Sequence, residues 1–106
     1  MFEVLLYEDD RGHSPFPDWF DTLNHQAAAK VTIAVERLRL GNLSNVKGVG
    51  GGVQECRIDW GPGYRLYLGR DGDRLLILLT GGTKRRQDAD VDRAKECWAD
   101  YKRRKV

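Results

Sequence analysis

The sequence has little of what would make a disulfide scaffold or a membrane protein. Its two cysteines, Cys56 and Cys97, form neither a disulfide framework nor a C-x-x-C metal site. Cys56 alternates with Ile58 on an expected strand and Cys97 sits beside Trp98 on an expected helix, so both read as small core residues in a reducing compartment. No apolar run approaches the roughly 18 residues that a membrane span needs, and Met1-Phe2-Glu3 lacks the basic start of a signal peptide. The expectation is a soluble, cytoplasmic chain. Histidine is scarce too: His13 and His25 both fall in the helical first half, as loop and cap residues rather than catalysts. The three prolines stand at turns or helix starts.

Charge of one sign is also lacking, for the formal net charge is only +2. Its distribution is uneven. Residues 1–52 carry five Lys/Arg against seven Asp/Glu, whereas residues 53–106 carry thirteen against nine. Such asymmetry hints at polyanion binding, although the tail Lys102-Arg103-Arg104-Lys105 supplies part of it and equally suits a helix end whose cations complement the dipole. With 106 residues, 41% hydrophobic and three Trp, the chain is one domain (1–106) with a single two-layer core.

The pattern predicts an opening strand over Phe2–Tyr7, ended by Asp9-Asp10-Arg11-Gly12. Ser14 before Pro15 reads as an N-cap and N1 proline of a short helix carrying Phe16, Trp19, Phe20 and Leu23. A second helix is expected from Gln26 to Leu40, its stripe formed by Ala27, Val31, Ala34, Val35 and Leu38, giving an αα-hairpin. Ser44 to Gly52 reads as a flexible glycine-rich loop. Strands follow at Val53–Asp59, Tyr64–Gly69 and Arg74–Thr80, joined by Gly61-Pro62-Gly63 and by the hairpin signal Asp71-Gly72. The apolar run Leu75–Leu79 should be central and covered on both faces. A last helix begins near Asp88, packs Val91, Ala94, Trp98 and Tyr101, and ends in Lys102-Arg103-Arg104. The fold class is α+β: a small, mostly antiparallel sheet in the order β-α-α-β-β-β-α.

Several motifs share one order and spacing. They are Gly52-Val53-x-Glu55-x-Arg57-Ile58, Gly61-Pro62-Gly63-Tyr64-Arg65-x-Tyr67, Gly81-Gly82-x-Lys84-x-x-Gln87-x-x-Asp90-Val91, Ala94-Lys95 and Trp98-x-x-Tyr101. With Ser14-Pro15-Phe16-x-x-Trp19 they resemble the RelE/ParE toxin superfamily, in particular its HigB-type addiction module killer branch. The resemblance implies a RelE-like fold and a type II toxin that cleaves mRNA on the ribosome. It implies partners in a helix-turn-helix antitoxin, the ribosome and mRNA, and neither a metal nor any other cofactor. The implied reaction is attack of a ribose 2′-OH on the adjacent phosphate, leaving a 2′,3′-cyclic phosphate and a 5′-OH.

By the same resemblance Arg65 lies in the active-site cleft, where a guanidinium can hold two phosphate oxygens and stay charged. The alternative is an arginine paired with Asp59 or Glu55. Its place after the Gly-Pro-Gly turn suggests a strand rim. Arg57 is a second catalytic candidate, on a face with Glu55 and Asp59 that also allows a simple ion pair. Lys84 matches the family's Gly-Gly-x-Lys and either binds phosphate or donates a proton to the leaving oxygen. Lys47, Arg85 and Arg86 are RNA-binding candidates. The Tyr or His that relatives carry near the last helix is replaced here by Gln87-Asp88-Ala89-Asp90, so Glu55 and Asp90 are the possible acid or base, Asp90 equally a helix cap. Two further readings remain open: a gyrase-inhibiting toxin of the same superfamily, and a non-catalytic RNA-binding module.

Overall fold

A computed structural model describes residues 1–105. The order is β1 (Glu3–Leu6), α1 (Pro15–Phe20), α2 (His25–Arg39), β2 (Val46–Gly50), β3 (Val53–Ile58), β4 (Tyr64–Asp71), β5 (Leu75–Thr83), a 3-10 turn (Lys84–Arg86) and α3 (Gln87–Arg104). The protein is α+β, with a five-stranded sheet in the order β1-β5-β4-β3-β2. Three of its pairings are antiparallel, and β1 joins β5 in parallel.

This order departs from the expected one by a strand and a 3-10 turn. The Ser44–Gly52 stretch is not a loop throughout, because Val46–Gly50 pairs with β3. Only Gly50-Gly51-Gly52 makes the turn, with φ of 96°, 64° and 81°, values that side chains resist. Glycine in a short edge strand gives little side-chain packing, so the run carries no strand signal of its own; pairing with β3 supplies the structure. β5 is interior and buried on both faces as its apolar run suggests, but the middle place falls to β4 because β1 adds to the outer side of β5.

The helices lie on both faces, so there are three layers and two apolar clusters rather than one two-layer core. On one face Phe2, Phe16, Val31 and Leu38 meet Cys56, Leu66, Leu68, Leu76 and Leu78. On the other, Ala94, Cys97 and Trp98 of α3 meet Val53, Tyr67, Ile77 and Leu79. The two cysteines are free and buried, one in each cluster, and burial pushes the Cys56 thiol up to about 11. The expected αα-hairpin is modified too. The six-residue α1 packs chiefly on β5, with the Trp19 ring laid over Gly81. Ser14 makes no side-chain cap, whereas Asn24 Oδ1 accepts from Ala27 N at 2.9 Å to start α2.

α3 is fixed to the sheet through its C-terminal half. Trp98 lies so close over Gly69 that a Cβ there would stand 2.3 Å from the ring. Tyr7 OH donates to Asp100 at 2.7 Å and Tyr101 OH to Asp71 at 2.6 Å. Its first turn meets the sheet separately, with Gln87 reaching Glu55 of β3 and Asp90 lying over Gly82 of β5.

Candidate functional site

Strand register puts the candidate residues side by side. Lys47, Glu55, Tyr67 and Thr80 form one line across four strands, and Arg57, Arg65 and Gly82 form the next. Beside Tyr67 the register shifts, so that Leu79 is an extra residue on β5 and Thr80 and Gly82 share the Tyr67 face. That face is the one under α3, whose Gln87 and Asp90 close over it.

Arg65 is the first correction. It does not sit on a rim but is 5% exposed. Its Nε lies 3.5 Å from Oε1 of Glu55, which is fully buried. Oε2 of Glu55 accepts from Gln87 Nε2 at 2.8 Å, and Lys47 Nζ approaches Oε1 at 3.9 Å. The carboxylate faces two cations and one amide. Glu55, expected as a possible acid or base, has no accessible surface and faces Arg65 rather than solvent.

The contact is a charge pair rather than a hydrogen bond. Among the described residues, Glu55 Oε1 and Arg65 Nε each find no hydrogen-bond partner, and neither do the buried Tyr67 OH and Asp90 Oδ2 beside them. Buried polar atoms are normally satisfied, and each that is not costs roughly 1–3 kcal/mol. Four such atoms lie in this one cluster. The Tyr67 hydroxyl is pushed far up by burial and by the negative charge of Glu55 and Asp90, so it stays protonated.

Asp90 is half-buried and is not a cap, since the last helix begins at Gln87. Its Oδ2 lies where a Cβ on Gly82 would be, 1.8 Å away, so the absence of a side chain at Gly82 lets the carboxylate reach the sheet. Desolvation raises its pKa, and Arg86 and Arg93 partly offset the effect. The pocket around it is lined by Trp19, Thr80, Thr83, Arg86 and Arg93.

Exposed cations surround the cluster. Lys84, Arg85 and Arg86 form the 3-10 turn, and Lys84 N donates to Gly63 O at 2.8 Å, tying that turn to the β3–β4 connection. Gly63 takes φ 78°, a conformation that glycine adopts freely, and stands in ordinary contact range of Arg65 Nη1 and Lys84 Cβ. Arg57 is exposed and only 3.9 Å from the exposed Asp59, a pairing that contributes little in water and leaves the guanidinium available. Arg57, Arg65, Glu55, Lys47, Lys84, Arg85, Arg86 and Asp90 thus belong to one region. His13 lies outside it, 3.1 Å from Asp18, and His25 opens α2. The sequence motifs include Tyr67 and Gln87 but give neither a role in the site. Tyr67 follows Arg65 by two and so shares its face, a signal that was legible; the reach of Gln87 to Glu55 depends on where α3 docks.

A protein of Haemophilus influenzae described as "Uncharacterized protein" is 44% identical over 81 residues, a match that takes in 76% of this chain and 82% of the relative. The chain belongs to its family. No family model matches the sequence. Kinship at this level extends the fold to the Haemophilus protein, while the chemistry has to be argued from the residues of the site.

Proposed function

We propose that the protein is a RelE/ParE-superfamily toxin of the HigB type, an endoribonuclease that cleaves mRNA on the ribosome and is silenced by a helix-turn-helix antitoxin. The observation that carries the reading is the Arg65–Glu55 pair, set beneath the half-buried Asp90 and ringed by Lys47, Arg57, Lys84, Arg85 and Arg86. A guanidinium oriented by a buried carboxylate is preorganised to face the charge that develops on a phosphorane. In the proposed reaction the 2′-OH gives its proton to Asp90, whose raised carboxyl makes it a better base than an ordinary aspartate. The O2′–P bond forms, the P–O5′ bond breaks, and Lys84 supplies the proton to the departing 5′ oxygen. Arg57, Lys47, Arg85 and Arg86 hold the neighbouring phosphates.

The test is a reconstituted translation reaction in which cut mRNAs are mapped by primer extension and their ends analysed. Cleavage on the ribosome with 2′,3′-cyclic phosphate ends is expected, and its loss in Asp90→Asn. The low exposure of Arg65 favours a second reading, the gyrase-inhibiting toxin, in which the pair is purely structural. If expression halts replication while protein synthesis continues, and gyrase is inhibited in vitro, that second reading replaces the first.

A further inference from the structure

On the opposite face of the sheet a second cleft runs between α2 and the end of β3, lined among others by Lys30, Ile33, Arg37, Asn45, Arg57 and Trp60. Its composition is unusual for a crevice between a helix and a sheet. Three cations face a single carboxylate, Asp59, and at one end stands a partly exposed indole.

The Trp60 ring is held in place. Its backbone N–H donates to Ile58 O at 3.0 Å and its carbonyl accepts from Gly63 N at 3.1 Å, which fixes the residue in the β3–β4 connection. The indole stacks at 23° on Tyr64 with centroids 6.2 Å apart, and Tyr64 is itself buried against Trp19. Lys30 Nζ lies over the Trp60 ring, 5.9 Å from its centroid, and this exposed, flexible side chain would swing aside for a base to take its place on the indole. A rigid aromatic surface with cations near it is the arrangement on which unpaired bases stack while their phosphates are neutralised. Asn45 adds a side-chain amide able to meet a base edge. Arg57 lines this cleft and also the groove beside Lys47 and Glu55, so one side chain joins the two regions around the edge of the sheet.

We infer that this cleft is a subsite for one unpaired RNA nucleotide, its base stacked on Trp60 and its phosphates drawn to Arg37 and Arg57. The inference rests on the RNA-handling reading above and extends it from the cluster under α3 to the face carrying α2. An acidic segment of a partner protein would satisfy the cations but would have no use for the flat indole at the end of the cleft.

The experiment is a titration of a fluorescent six-nucleotide RNA, 2′-O-methylated throughout so that it cannot be cut, followed by anisotropy at several salt concentrations. Trp60→Leu should weaken binding roughly tenfold, whereas Trp60→Phe, which keeps a flat ring, should retain most of it. Arg37→Ser, an exposed change on α2 that leaves the core untouched, should weaken binding and reduce its salt dependence. Circular dichroism checks each fold, and Arg37→Ser keeps the inference testable should Trp60→Leu fail to fold. Binding unchanged in folded Trp60→Leu or in Arg37→Ser overturns it, as does wild-type protein that takes up a poly-glutamate peptide but not RNA. Loss of binding in these variants from a protein that cuts no mRNA would sustain the subsite and remove only the nuclease reading. Cleavage that continues with RNA affinity indifferent to Trp60 would do the reverse.

Discussion

Removing the Arg65 guanidinium would strand the Glu55 carboxylate in a place without accessible surface, opposite only a distant Lys47 and the Gln87 amide. Arg65→Ala is therefore expected to destabilise the fold by roughly 3–5 kcal/mol, the usual consequence of breaking a buried pair from one side. Arg65→Met combined with Glu55→Gln should recover much of that loss, since neither charge then remains. Urea unfolding of the two single variants and the double would check it, and additive losses would show that the residues do not act as a pair. Asp90 behaves in the opposite sense. Its raised pKa means that the folded chain holds the proton more tightly than the unfolded one. The stability this gives is present below the ordinary value of 3.8 and is lost as pH rises through the folded value. At neutral pH the ionised carboxylate is thus a burden, and Asp90→Asn should raise the melting temperature while abolishing cleavage, a trade of stability for activity. A melting temperature that falls in Asp90→Asn would contradict this role for the carboxylate.

Among the elements, α3 carries the site and its docking can be tested in two ways. A methyl group at position 69 would collide with the Trp98 ring, which is 5% exposed and closed in by its cluster. Gly69→Ala should cost roughly 1–3 kcal/mol through overpacking, read as a lower denaturation midpoint with an unchanged slope. The far end of the helix is held by Tyr7–Asp100 and Tyr101–Asp71. The Asp100 carboxyl is lowered by the Tyr7 hydroxyl and then by Arg104, and that of Asp71 by Lys105 and then by Tyr101. For such groups the stabilisation is present above the ordinary carboxylate pKa and fades as pH falls through the lower, folded value. Acid should accordingly weaken the fold below about pH 4, and the Tyr7→Phe/Tyr101→Phe double variant should show a shallower fall over that window. Thermal melts between pH 2 and 6 provide the comparison.

At the scale of the whole molecule, the three-layer sandwich turns a sequence of nearly balanced charge into a surface with a cationic rim. Lys47 and Arg57 come from β2 and β3, and Lys84, Arg85 and Arg86 from the turn before α3, all exposed around one buried polar cluster. Binding of a single-stranded polyanion there should weaken steeply with salt. Replacing Arg85 and Arg86 with serine should reduce the slope of log K against log salt by roughly 0.7 for each phosphate no longer neutralised. An unchanged slope would place the RNA elsewhere. No helix among the described residues is long and apolar enough to cross a membrane.

Much of this was written in local patterns. Ala27, Val31 and Leu38 recur at helical spacing and are buried as that spacing requires. The Asp71-Gly72 signal marked a hairpin, but Asp71 stays in β4 paired with Leu75, so the turn is the three residues Gly72-Asp73-Arg74, with Gly72 at φ 70°. Leu76 to Leu79 read as a strand covered on both faces because both faces are apolar, and burial follows from that alone. The motif run from Glu55 to Asp90 likewise marked where charged residues would collect. Other features depended on contacts between distant segments. Val46–Gly50 became a strand because β3 offered it hydrogen bonds, not through any propensity of its glycines. Arg65, two residues beyond a turn, looked like a rim residue until α3 closed over it through Trp98 on Gly69, and Glu55 is buried for the same reason. Periodicity along one strand fixes which side chains share a face. Which of those faces is then buried, and which charge meets which, is decided by the packing of elements far apart in the chain.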